Sequence, residues 1–169
     1  MFAKGEKETV LSCSFTGHRK IEPRHAAGIS NLLSRAINFA YSNGCRRFLC
    51  GGALGFDTLA AREVIKYRIT HPDVLLVLVL PCINQSERWP RAEREKYEYT
   101  LSVSDEIIYV SEEYTDTCIK ERNRRLVDSA DIVIAYLSNE RSGTGQTVRM
   151  AKAAGKRVYN LYPELEKQV

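Results

Sequence analysis

Short apolar runs alternate along this chain with stretches in which apolar residues recur every three or four positions. The first run covers residues 10–15. Behind it Ile29, Leu32, Leu33, Ala36, Ile37 and Ala40 share one helical face, with Pro23 near the first turn of that segment. Asn43-Gly44 supplies a left-handed stop. Residues 47–50 read as a short strand, followed by Gly51-Gly52 and a helix carrying Leu59, Ala60, Val64 and Tyr67. Positions 74–80 are all apolar, the mark of a central parallel strand covered on both faces, and Pro81 ends it. A charged helix within 87–101 opens at Pro90, and a strand follows at 106–110. Next come a basic helix over 117–129, a strand over 131–137 and a glycine-containing loop. A helix over 145–154, stopped by Gly155, and a last strand at 157–161 complete the pattern.

This alternation predicts one α/β domain, a doubly wound and mostly parallel sheet with its core at 10–162. Right-handed crossovers then place every strand-to-helix loop on the carboxyl edge of the sheet, where open α/β sheets bind ligands. Three loops on that edge combine small residues with hydroxyl or charged ones. They are Thr16-Gly17-His18-Arg19, Gly51-Gly52-Ala53-Leu54-Gly55-Phe56-Asp57 and Ser142-Gly143-Thr144-Gly145-Gln146-Thr147. The last two lead directly into helices, whose free amides and positive dipole ends attract anions.

Composition narrows the picture without redirecting it. The 169 residues are 44% hydrophobic and 27% charged, which is ordinary for a globular chain and excludes disorder as a description of the whole. Lys+Arg 25 against Asp+Glu 21 gives a formal +4, a mild excess that permits a phosphate-bearing partner without demanding one. The longest apolar run falls far short of the ~20 residues a bilayer span needs. Residues 1–9 are polar with both charge signs, unlike a secretory leader, so a soluble, unexported protein is expected. Five cysteines, with no CxxC spacing, support neither a disulfide framework nor a zinc site. A reducing cytoplasm is the expected compartment, and no metal site is expected.

The motifs SFTGHR (residues 14–19), GGALGFDTLAA (51–61), LPCINQSERW (80–89), ERNRRLVDSADIVIAYL (121–137) and SGTGQTVRMAKAAGK (142–156) resemble, in this order, the YpsA-type branch of the SLOG superfamily. That superfamily also holds DprA and the LOG proteins. The resemblance implies a Rossmann-like fold, a pocket for a nucleotide or nucleotide-derived ligand bearing phosphate, and a homodimer or higher homo-oligomer. It implies no cofactor beyond that ligand.

The residues have competing roles. Arg19 suits a phosphate, its planar fork matching two oxygens, or is a surface arginine. His18 is a phosphate donor or proton shuttle, or it fills a backbone hydrogen bond. Asp57, in a first helical turn, either stabilises the helix end or binds a ribose hydroxyl. On the basic helix the pattern puts Asn123 on the buried face with Ile119, Leu126 and Ala130, and its amide there needs partners. Arg122-Asn123-Arg124 resembles the corresponding piece of DprA, whereas Lys120, Arg122, Arg124 and Arg125 also suit a solvated basic face. Thr144 and Thr147, with Gly143 and Gly145, resemble a phosphate loop. Trp89, near Gln85, closes over a base or packs its loop against the sheet.

Binding of a nucleotide-like small molecule is therefore the expected function. The first alternative is a LOG-like hydrolysis of a nucleoside monophosphate. In LOG proteins a loop PGGxGTxxE supplies a catalytic glutamate; here Thr147 takes its place, leaving Asp57 or Glu140 as substitutes. The second is DprA-like binding of single-stranded nucleic acid, disfavoured by the small charge excess and scattered tyrosines.

Overall fold

A computed structural model describes residues 10–169, so the polar stretch 1–9 lies outside the described residues. Six strands, β1 (Leu11–Gly17), β2 (Cys45–Cys50), β3 (Leu75–Leu80), β4 (Glu106–Tyr109), β5 (Ile132–Tyr136) and β6 (Arg157–Asn160), form one sheet in the order β4-β3-β2-β1-β5-β6. Every neighbouring pair is parallel. Six helices connect and close it: α1 (Ile29–Ser42), α2 (Phe56–Thr70), α3 (Arg91–Val103), α4 (Cys118–Asp128), α5 (Gly143–Ala153) and α6 (Tyr162–Lys167). The chain winds outward from β1 to β4, then returns to the other side of β1 for β5 and β6. The loops after β1 and β5 thus leave in opposite directions, and the crevice between them is the switch point where such sheets take ligands.

Strand alternation divides the core. In β3, Leu76, Leu78 and Leu80 enter the larger cluster with Phe15, Phe48 and the α1 face of Ile29, Leu33 and Ile37. Val77 and Val79 point the other way, onto Leu126 of α4. A strand buried on both faces cannot alternate polar and apolar residues, which is why 74–80 is continuous in the sequence. Burying one such side chain is worth ~1.5–3 kcal/mol. No helix among the described residues is long and apolar enough to cross a membrane.

Two local features depart from the sequence pattern. Pro23 opens a separate 3-10 turn, Pro23–His25, rather than the helix that begins at Ile29. And α6 follows β6, beyond the last element the periodicity marked. Leu165 of α6 is buried, and the neighbouring Glu166 reaches the 3-10 turn. There the Glu166 carboxylate accepts from Arg24 Nε at 2.8 Å and lies 2.6 Å from His25 Nε2. His25 Nδ1 is 2.7 Å from the Tyr136 hydroxyl, which itself accepts from the Glu22 amide at 3.1 Å.

The Arg24 hydrogen bond, followed by that of His25, holds the Glu166 carboxyl below its ordinary value. A carboxyl depressed by folding contributes stability above its unfolded pKa and loses it as pH falls through the folded one. The protection of the α6 amides, their exchange taken relative to the intrinsic rate at each pH, should therefore fall below about pH 4, and Glu166→Gln should remove that fall. Protection that stays constant through this range would show that the ion pair does not hold the helix.

Candidate ligand-binding cleft

A cleft of about 340 Å³ opens at the carboxyl edge above β1, bounded by the loops after β1, β2 and β5 and by α4. The β1 loop is fixed from both sides. His18 N donates to the Tyr136 carbonyl at 3.3 Å, and Phe56 N donates to the His18 carbonyl at 3.1 Å. Beneath it the Phe56 and Tyr136 rings stack at 5.7 Å between centroids.

The dominant charge is a buried one. Arg122 is only 5% exposed. Its Nη1 donates to the Gly51 carbonyl and its Nε to Asn123 Oδ1 at 2.8 Å. The guanidinium comes so close that a Cβ at position 51 would sit 2.7 Å from Nη1, so a side chain there would push the guanidinium aside. Asp57, 6% exposed, accepts from the Ala53 amide at 3.1 Å and faces the same pair. Burial pushes the Asp57 carboxyl up, against the pull of Arg122, and pushes the Arg122 guanidinium down, against the pull of Asp57. The two charges thus share one poorly hydrated place without an ion pair within 4.0 Å, and Arg122 keeps donors to spare. Arg19, exposed at the rim, brings a second guanidinium to the cleft.

His18 lines the cleft with its Nε2 engaged: it accepts from the Ser138 amide at 2.9 Å. An acceptor nitrogen carries no proton, so the proton sits on Nδ1. Burial holds the imidazole pKa below its ordinary value, with Glu22 opposing, which keeps the ring neutral at pH 7. At the third loop, Ser142 Oγ accepts from Gly145 N at 3.0 Å and caps α5. The Gly143 and Thr144 amides have no acceptor among the described residues, and both residues line the cleft. A Cβ at Gly143 would meet nothing within 4 Å, so this helix end is open to an incoming group.

Of the residues singled out in the sequence, Thr16, Gly17, His18, Arg19, Ala53, Asp57, Arg122, Asn123, Gly143 and Thr144 all line this one cleft. Gly51, Gly52, Gly145 and Thr147 do not. The Thr147 hydroxyl is buried and spent on the Gly143 carbonyl at 2.9 Å. The α4 face differs from the pattern: Cys118, Arg122, Leu126 and Val127 are its buried residues, and Asn123 lies beside them half-buried. Lys120, Arg124 and Arg125 are exposed, as a solvated basic face requires. Phe15, Ile119, Leu126 and Ser142 also line the cleft, although the pattern makes the first three core residues and Ser142 only the start of the third loop. Ser142 carried a readable signal, a serine preceding a helix as its cap. Trp89 and Gln85 lie elsewhere: the Trp89 ring packs on Tyr97 at 5.1 Å, and Gln85 Nε2 donates to the Gly52 carbonyl at 2.9 Å.

Residues 14–163 match the family model described as the YspA SLOG family (YpsA). The chain belongs to this SLOG family. Among its relatives is the SPbeta prophage-derived protein YoqJ of Bacillus subtilis strain 168, 28% identical over 86% of this chain and 89% of YoqJ. The fold resembles DNA processing protein A (DprA) of Streptococcus pneumoniae, with a TM-score of 0.64 and 18% identity over 89% of this chain. It also resembles the Helicobacter pylori DprA, whose structure concerns single-stranded DNA binding, with a TM-score of 0.61 and 20% identity over 88% of this chain. The chain spans 50% and 63% of those two DprA chains. At such identities the likeness is one of fold: the Rossmann-like sheet and the helices that flank it are what this SLOG chain shares with them.

Proposed function

We propose that the cleft binds a phosphate-bearing, nucleotide-derived small molecule. The observation that carries this reading is the meeting of two guanidinium groups, Arg19 and Arg122, with the open amides of Gly143 and Thr144 in one cleft. Planar guanidinium donors and a helix N-terminus are the groups that hold phosphate oxygens. Asp57, the carboxylate that lines the cleft, suits a ribose hydroxyl. Family membership supports the same reading. For glycosidic hydrolysis a positioned acid or base contributes 10²–10⁴-fold, and the Thr147 hydroxyl, bound to Gly143, supplies none.

A thermal-shift series with nucleoside mono- and diphosphates, ADP-ribose and dinucleotides tests the proposal. Ligand at about 100 times its Kd adds ~2.7 kcal/mol, a rise of roughly 5–10 °C for a chain this size. Arg19→Ala removes an exposed side chain, so the free protein should melt unchanged. Its affinity should fall about 10- to 100-fold, the worth of a charged hydrogen bond, and the shift should shrink to about half or less. An undiminished shift in that variant would clear Arg19 of a binding role. No shift with any phosphate ligand, beside oligonucleotide binding that weakens steeply with salt, would instead favour single-stranded nucleic acid on the α4 face of Lys120, Arg124 and Arg125.

A further inference from the structure

A second cavity, about 360 Å³, opens on the same edge of the sheet between the loops that follow β3 and β4. Its lining differs in kind from that of the cleft. Trp89 and Tyr114 are the large aromatic side chains, and Asn84, Gln85 and the oppositely charged pair of neighbours Glu87 and Arg88 supply the polar groups. Carboxylate and guanidinium offset one another here, so nothing in this cavity selects a free phosphate. Two aromatic side chains and two amide side chains lining one cavity suit a flat, uncharged ring that carries hydrogen-bonding edges.

The walls of the cavity are tied together by the chain itself. Ile83 N donates to the Glu112 carbonyl at 3.2 Å and Ser111 N to the Pro81 carbonyl at 3.1 Å, which ties the two loops together. The Trp89 ring is braced from behind by the Tyr97 ring, edge to face at 5.1 Å, within the main core. Gln85 is anchored to the Gly52 carbonyl, on the loop whose next residue, Ala53, lines the cleft. A braced platform loses little side-chain entropy when a ring stacks on it. Tyr114 is 62% exposed, free to close over such a ring.

We propose that this cavity is a second binding site, taking the planar nitrogen heterocycle of a nucleoside between Trp89 and Tyr114. The site is separate from the anion-binding cleft and does not need phosphate. Trp89 is the one tryptophan of the chain, so its fluorescence reports on this cavity alone. Adenosine, guanosine, cytidine and uridine, added to the full chain with inner-filter correction against free tryptophan, should quench that fluorescence saturably, the purines at lower concentration. Tyr114→Ala alters an exposed side chain and should weaken the quenching about tenfold, as the loss of one stacking face does. Arg19→Ala should leave it unchanged. Absence of saturable quenching at millimolar nucleoside would overturn the proposal, as would equal quenching in Tyr114→Ala. Loss of quenching in Arg19→Ala would also overturn it, by placing the nucleoside in the cleft. The cleft is tested separately, through phosphate ligands and melting temperature.

Discussion

Gly55→Ala is expected to cost about 3 kcal/mol or more of stability, a fall in Tm of roughly 6–12 °C or greater for a chain this size. Two independent penalties meet at this position. The backbone of Gly55 has φ +78° and ψ −115°, a conformation that side chains rarely adopt. A Cβ there would also lie 2.1 Å from the carbonyl oxygen of Arg19 and 2.4 Å from its carbon. Those are backbone atoms, so no rotamer change relieves the clash; the loops after β1 and β2 would have to part. That separation breaks the hydrogen bond from Phe56 N to the His18 carbonyl and displaces Arg19 from the cleft rim. Gly143→Ala is the matched control. Its φ is not left-handed and its Cβ meets nothing, so the free protein should stay within about 0.5 kcal/mol of the parent. Urea unfolding of the two variants checks both expectations. Equal stability of Gly55→Ala and the parent would show that the loops are not held in contact.

Arg122→Met is expected to destabilise the protein by about 3–5 kcal/mol, the loss that follows when a buried, hydrogen-bonded charge is removed and the opposite charge facing it is left buried. Methionine fills much of the same volume, so the loss reflects charge and hydrogen bonding rather than a cavity. The Gly51 carbonyl and Asn123 Oδ1 lose their donors, and Asp57 is left as a buried carboxylate with the Ala53 amide and the more distant Arg19 to hold it. Burial already pushes the Asp57 carboxyl up and Arg122 is the first force pulling it back. Without Arg122 the folded-state pKa of Asp57 rises further above its unfolded value.

A carboxyl raised by folding binds its proton more tightly in the folded state, so stability falls as pH rises from the unfolded toward the folded pKa. The deficit of Arg122→Met should accordingly be larger at neutral pH than in mild acid. Arg122→Met combined with Asp57→Asn should recover part of it, because the lone charge is gone. Chemical denaturation of the single and double variants at both pH values measures the coupling. A pH-independent deficit, with no recovery in the double variant, would mean that the two groups do not interact.

Much of the scaffold was legible because each element satisfies itself over a few neighbouring residues. The continuous apolar stretch 74–80 became β3 at Leu75–Leu80, and the run 131–137 became β5 at Ile132–Tyr136. Asn43-Gly44 ends α1, with Gly44 at φ +99°. What eluded the pattern was short or depended on distant chain. α6 has six residues, fewer than two turns, and too few for a helical period to show. The arginine of α4 eluded it because a charged residue counts as polar in any periodicity. The stripe of Ile119, Leu126 and Ala130 therefore pointed to Asn123, one residue away from the side chain that is buried.

Residue order alone dictates the alternation of strands and helices, the two-faced burial of the central strand, and, through the handedness of crossovers, the gathering of three glycine-bearing loops on one edge. Only the tertiary structure decided which charge is stripped of water there. Arg122 meets the carbonyl of a residue 71 positions earlier, and His18 meets an amide 120 positions later. Periodicity encodes what a residue does within its own turn or strand. Desolvation of a guanidinium, the tautomer of an imidazole and the opening of a helix end to a ligand arise where segments far apart in sequence come together.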